Sequence, residues 1–157
     1  MSFRVWLAAC AAALLLAGCA SGPVRRVSEP AVSLQQLVVQ ADGGWAVEVR
    51  IDNFSSIPMR FDAIELKLAV AGQDAGPLSA RPALDIGPES ADVVSVQLKP
   101  QAMARLQIAN ALASGQGIAY SLAGSVHATP EGKKERDFDV KRESSLSPVP
   151  GIPGALR

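Results

Sequence analysis

In the middle of this chain the apolar residues recur at every second position, and that spacing admits few folds. Trp45, Val47, Val49 and Ile51 alternate with Ala46, Glu48 and Arg50; Ile64, Leu66, Leu68 and Val70 alternate with Glu65 and Lys67. Val94, Val96 and Leu98 repeat the pattern around Ser95 and Gln97, and Ile118, Tyr120, Leu122, Gly124 and Val126 repeat it before His127. A strand turns successive side chains to opposite faces, so each run describes a strand with one face in a core and the other toward water. The breaks between runs carry turn chemistry. Ala41-Asp42-Gly43-Gly44 separates an apolar run, Leu34–Gln40, from Trp45–Ile51 and predicts a hairpin. Phe61 is out of phase with Ile64, which predicts a bulge near Asp62 and Ala63. Gly72-Gln73-Asp74 leads to a weaker strand over about 75–84, confined to an edge by Pro77 and Pro82. Gly87-Pro88-Glu89-Ser90 turns the chain into the strand containing Val94, and Thr129–Lys134 turns it into a last strand with Phe138 and Val140 on one face.

The period changes once. Pro100 suits the approach to a first helical turn and Gly115 suits a stop, and Met103, Leu106, Ile108, Ala109 and Leu112 lie between them at rough helical spacing. A helix is predicted there, with Met103 and Leu106 packed inward. About seven strands and one late α-helix give an all-β, two-sheet antiparallel sandwich with a helical crossover.

The flanks read differently. Arg4 precedes an apolar run from Val5 to Leu16, the layout of an export signal and too short for a span that needs ~20 residues. Leu16-Ala17-Gly18-Cys19 resembles the lipobox of bacterial lipoproteins, which implies cleavage between Gly18 and Cys19 and a covalent lipid on Cys19. Ala20 rather than Asp after the cysteine resembles the outer-membrane class, which implies a protein facing the periplasm. Each buried CH₂ of an acyl chain contributes ~0.8 kcal/mol, so several chains on one residue anchor permanently. Cys10 would leave with the signal, so no internal disulfide is open to the domain. The expected division is a signal peptide over 1–18, a lipidated tether over 19–30, a sandwich domain over 31–145, and an extended Pro/Gly-rich tail over 146–157, folded against the domain at most in part. The tail's Pro148-Val149-Pro150-Gly151 reads either as a ligand for another protein or as a disordered end.

The order of elements resembles the water-stress and hypersensitive-response (WHy) domain, shared by late embryogenesis abundant proteins of the second type. Val49-Arg50-Ile51-Asp52-Asn53, the long strand leading to Gly72, the late helix, Tyr120-Ser121-Leu122-Ala123-Gly124 and a final hairpin with Phe138 carry the likeness. It covers most of residues 32–146. The family commonly has Asn-Pro-Asn after its second strand, where this chain has Asn53-Phe54-Ser55; Asn53 can still bond local backbone in a turn. The resemblance implies an immunoglobulin-like or fibronectin-like sandwich, an association with desiccation and stress, and no catalytic residues.

Chemistry has little to build on. His127 is the only histidine and falls on the polar face of its strand; with Cys10 expected to leave with the signal and Cys19 blocked by lipid, neither a free Cys nor a second His remains to complete a zinc site. Asp137 and Asp139 share a face with Lys141, with Lys133, Lys134 and Arg136 nearby, which describes a solvated charged surface. Gly115-Gln116-Gly117 follows a helix and so lacks the context of a phosphate loop. Fifteen basic side chains match fifteen acidic ones, leaving no field to attract nucleic acid. Phe54, Ile57, Met59 and Phe61 cluster near a loop and read either as a cap on the core or as an exposed contact patch for a client or acyl chain. The expectation is a non-enzymatic binding or protective module without metal or cofactor beyond its lipid. Its partners would be the membrane, through the anchor, and envelope proteins or lipids. The alternative is a carrier holding an acyl chain between its sheets, which needs an apolar cavity of roughly 300 Å³ or more.

Overall fold

A computed structural model describes Gly22 and residues 25–157; the signal peptide, its cleavage point at Gly18 and Cys19, and most of the tether lie outside the described residues. Among the described residues nine strands and one helix follow in the order β1 (Ala31–Val39), β2 (Trp45–Asn53), β3 (Met59–Val70), β4 (Gln73–Ala80), β5 (Leu84–Ile86), β6 (Ser90–Leu98), α1 (Ala102–Ser114), β7 (Ile118–Pro130), β8 (Arg136–Leu146) and β9 (Ala155–Leu156). They form two antiparallel sheets, β6-β2-β1-β9 and β4-β3-β7-β8, with β5 also paired to β3. The two-sheet sandwich and its hairpins are those expected from the alternation. Trp45, Val47, Val49 and Ile51 are all fully buried, opposite Phe61, Ile64, Leu68 and Val126 of the other sheet.

Two bulges keep the inward faces apolar. In β1 the register slips between Leu34 and Gln36, so Leu34 and Leu37, three apart, both face the core. In β3 it slips between Phe61 and Ala63, at the expected position, and does the same for Phe61 and Ile64. The sheets are also joined across the interior: the backbone N–H of Leu34 donates to the hydroxyl of Tyr120 at 3.1 Å.

The weak strand expected over 75–84 is two strands on the edge of β3. β4 pairs with Ile64–Val70 and β5 with Met59–Phe61, so the partner changes at the β3 bulge, while Pro82 and Ala83 (φ 48°) turn the chain between them.

Two expectations are corrected. The helix runs between the anticipated limits, with Gly115 left-handed at φ 68°, but its buried face is Ala104, Ile108 and Ala111. Met103 and Leu106 are 53% and 51% exposed. Alanine surrounds this helix, so hydrophobicity marks no face; the side with small residues is the one that can approach the sheet closely. The C-terminal segment is likewise no extended tail. Residues 147–154 loop back, the N–H groups of Ser147 and Val149 donate to Arg157 and Ala155 carbonyls, and β9 adds to β1 through Leu37↔Leu156 and Val38↔Ala155. Both residues of β9 are buried, because the outer edge of β1 would otherwise leave Leu37 uncovered.

Candidate functional site

The end of the sandwich where β2 leaves its sheet gathers the buried polar side chains of the core. The chain must pass there from β2 to β3 through Phe54–Pro58, from β5 to β6 through Gly87–Glu89, and from the N-terminal arm into β1. Such crossings leave backbone groups without ladder partners, and buried ones must find others. Asn53 supplies them. It is wholly buried, and its Nδ2 donates toward the carbonyls of Ile57 (3.0 Å), Ile86 (3.1 Å) and Gly87 (2.9 Å), two hydrogens shared among three acceptors. Its Oδ1 accepts the Ser55 N–H at 2.9 Å. The local turn bond anticipated for Asn53 is therefore present, together with a long-range tie to the β5–β6 crossing.

Ser55, equally buried, extends the network to the arm. Its Oγ accepts the Ser28 N–H at 3.0 Å, and its one hydroxyl hydrogen has the Met59 sulfur (3.1 Å) and the Ser28 carbonyl (3.3 Å) as acceptors. Hydrogen bonds join Ser56 and Arg26: the Arg26 N–H donates to the Ser56 side-chain Oγ at 2.8 Å and the Ser56 N–H donates to the Arg26 carbonyl at 3.0 Å. Arg25 bonds Glu131 at 2.9 Å, and Val27 packs against the core. Part of the segment read as a free tether is thus a docked arm.

At the rim of this end lies a cleft of ≈ 300 Å³ bordered by Arg26, Arg50, Phe54, Glu89 and Ala91. Arg50 is held by Asp52 at 2.8 Å, whereas Arg26 and Glu89 stand 3.9 Å apart with both side chains mostly in water. The four residues read as a contact patch do not stay together. Phe54 is 52% exposed, but Ile57 (3%), Met59 (1%) and Phe61 (0%) are core, since the start of β3 turns them inward beneath the arm. Of that patch, one aromatic ring remains on the surface.

His127 stands elsewhere, on the outer face of the β4-β3-β7-β8 sheet. It is in register with Asp137, whose carboxylate meets its Nδ1, and Glu65 lies 3.9 Å from its Nε2. Both acids are largely exposed on an open surface, and among the described residues no group of three His, Cys, Asp or Glu side chains could hold a metal ion. The arm was the element that sequence reasoning missed. Its signal would have been Ser28 and Ser55, two small polar residues flanking turns, but nothing local pairs residues 27 apart.

A family described as "late embryogenesis abundant protein" matches residues 48–144, from within β2 to the latter part of β8. No curated protein matches by sequence. Among solved structures, one described as a late embryogenesis abundant protein is similar at 14% identity with a TM-score of 0.50, covering 92% of this chain and 80% of that one. A protein from Arabidopsis thaliana is similar at 12% identity, TM-score 0.49, covering 83% and 87% of the two chains. One from Archaeoglobus fulgidus is similar at 14% identity, TM-score 0.43, covering 79% and 98%.

Proposed function

Because this chain belongs to the late embryogenesis abundant protein family through residues 48–144, whose role is tied to stress and desiccation, we propose that it is a non-enzymatic lipoprotein of the bacterial envelope with a protective, WHy-type sandwich. Cys19 carries the lipid, the chain begins there after cleavage behind Gly18, and the domain faces the periplasm from the outer membrane. Its work is surface contact with envelope proteins and lipids as water is withdrawn. The observation that carries the reading is the family match over the sandwich. The lipobox-like Leu16-Ala17-Gly18-Cys19 and the arm docked from Arg25 onward support the anchored form. Inner faces filled by Trp45, Phe61, Leu68 and Leu122 favour a protective surface over a carrier of acyl chains.

Intact mass of the protein extracted from the envelope of expressing cells tests the anchor. An acylated N-terminal cysteine is expected, and Cys19→Ala should abolish that mass and release the protein from the membrane fraction. An unmodified chain beginning upstream or downstream of Cys19 would refute the lipoprotein reading. For the protective role, a desiccation-sensitive enzyme is dried with the domain or with equal albumin. Recovery no better than with albumin would count against it. A phospholipid or fatty acid retained in native mass spectra of the unlipidated domain would bring back the carrier reading.

A further inference from the structure

We propose that the arm-bearing end of the sandwich rests on the phospholipid surface, with Phe54 set into the headgroup layer and Arg26 beside it turned to lipid phosphate. The proposal rests on Cys19 being lipidated. From Cys19 to Arg25 there are six residue steps, a reach of ~20 Å at full extension. Arg25 and Arg26 are pinned to Glu131 and Ser56, so a lipid on Cys19 holds this end of the domain within that distance of the bilayer. The opposite end is farther by the length of β2: Trp45 and Asn53, its two ends, are separated by ~27 Å of strand.

What this end presents fits a lipid interface. Phe54 is its exposed large apolar residue, 52% in water, while Met103, Leu106 and Ile152 are exposed at the far end with α1 and the C-terminal loop. The outer face of the β4-β3-β7-β8 sheet offers Glu65, Lys67, Asp137 and Asp139 instead, which a bilayer interior would have to desolvate. Aromatic rings and arginine suit the boundary between headgroups and acyl chains. Arg26 donates to the Phe54 carbonyl at 3.3 Å and meets Glu89 only at 3.9 Å, so its guanidinium stands beside the Phe54 backbone and can exchange a loose carboxylate for a phosphate. With basic and acidic side chains equal in number, the chain has no long-range attraction to anionic lipid. The contact is therefore weak alone and becomes populated because the anchor supplies an effective concentration on the order of millimolar.

The test uses the full lipidated protein in vesicles of phosphatidylethanolamine and phosphatidylglycerol, with acyl chains brominated near the headgroup. Trp6 lies ahead of Cys19, and Trp45 is fully buried and serves as baseline. In Phe54→Trp the added emission should be blue-shifted, shielded from acrylamide, and quenched at least twofold by the brominated lipid. In Leu106→Trp it should remain open to acrylamide and unquenched. If protein that floats with the vesicles shows the reverse, or leaves Trp at position 54 in water, the orientation is wrong although the anchor stands. If the protein carries no acyl mass and does not float, the anchor and this proposal fall together.

Discussion

Asn53 is the single side chain on which most backbone depends, and its substitution separates packing from hydrogen bonding. Asn53→Ala leaves the Ile57, Ile86 and Gly87 carbonyls facing a hole where a donor stood. A buried acceptor without a partner costs about 1–3 kcal/mol, so a loss of about 3 kcal/mol in urea unfolding is expected. A loss under about 0.5 kcal/mol, the scale of an ordinary surface change, would show that water replaces the amide without penalty. Gly124 is critical for the opposite reason, an absent side chain. A Cβ there would sit 2.1 Å from the Glu65 carbonyl oxygen on β3, and the backbone is at φ 151°. Neither backbone can yield without breaking the β3–β7 ladder. Gly124→Ala should therefore destabilise the fold by about 3 kcal/mol, read as a shift in the thermal midpoint by circular dichroism. The alternation of β7 places Gly124 on the inward parity, yet nothing in the sequence shows that β3 comes so close. Asn53 was more legible: its place after an alternating run marks a turn, but its ties to Ile86 and Gly87 span 33 and 34 residues.

At the scale of elements, α1 and β9 show where local pattern and tertiary demand part. Ile108 is buried in the helix and Leu106 is not. Ile108→Ala should cost about 2–4 kcal/mol through the cavity it leaves, whereas Leu106→Gln should change stability by less than about 0.5 kcal/mol. The two midpoints measured side by side settle the face; equal losses would mean that the helix is rotated. Prolines and glycines make residues 147–154 unfit for regular structure, and they nonetheless deliver Ala155 and Leu156 to the edge of β1. Burying a leucine contributes about 1.5–3 kcal/mol. Deleting residues 147–157 should lower stability by about that amount and expose β1 as a free edge, visible as slow concentration-dependent association in light scattering. A truncated domain as stable and monodisperse as the full one would show β9 to be ornamental.

Across the whole molecule the two sheets share one core, and the arm, the β1–β2, β3–β4 and β7–β8 hairpins and β9 are tied into it. A single core without a subdomain boundary should unfold in one step. Trp45 fluorescence reports the β6-β2-β1-β9 sheet, and far-ultraviolet circular dichroism reports all strands, so the two thermal curves should coincide. Separate midpoints would mean that one sheet holds without the other. The family match spans residues 48–144, so β1, the arm and β9 lie outside it, although all three are tied into the same core.

The sequence by itself determined the long alternating strands, their inward faces, the β1–β2 and β7–β8 hairpins, the β3 bulge and the limits of the helix, because each follows from interactions within a few residues: period-two burial, turn chemistry and a left-handed stop at Gly115; the split into β4 and β5, the β1 bulge and β9 did not show in it. It also determined that neither charge nor histidine and cysteine content favours nucleic acid or a zinc centre. Only the tertiary structure decided which side of α1 packs, that Ile57, Met59 and Phe61 leave Phe54 alone on the surface, and that both flanks dock. Those outcomes depend on what stands opposite a residue. Ser28 meets Ser55, Leu37 meets Leu156 and Gly124 meets Leu66 across separations of 27, 119 and 58 residues in the chain, and no local spacing encodes such a meeting.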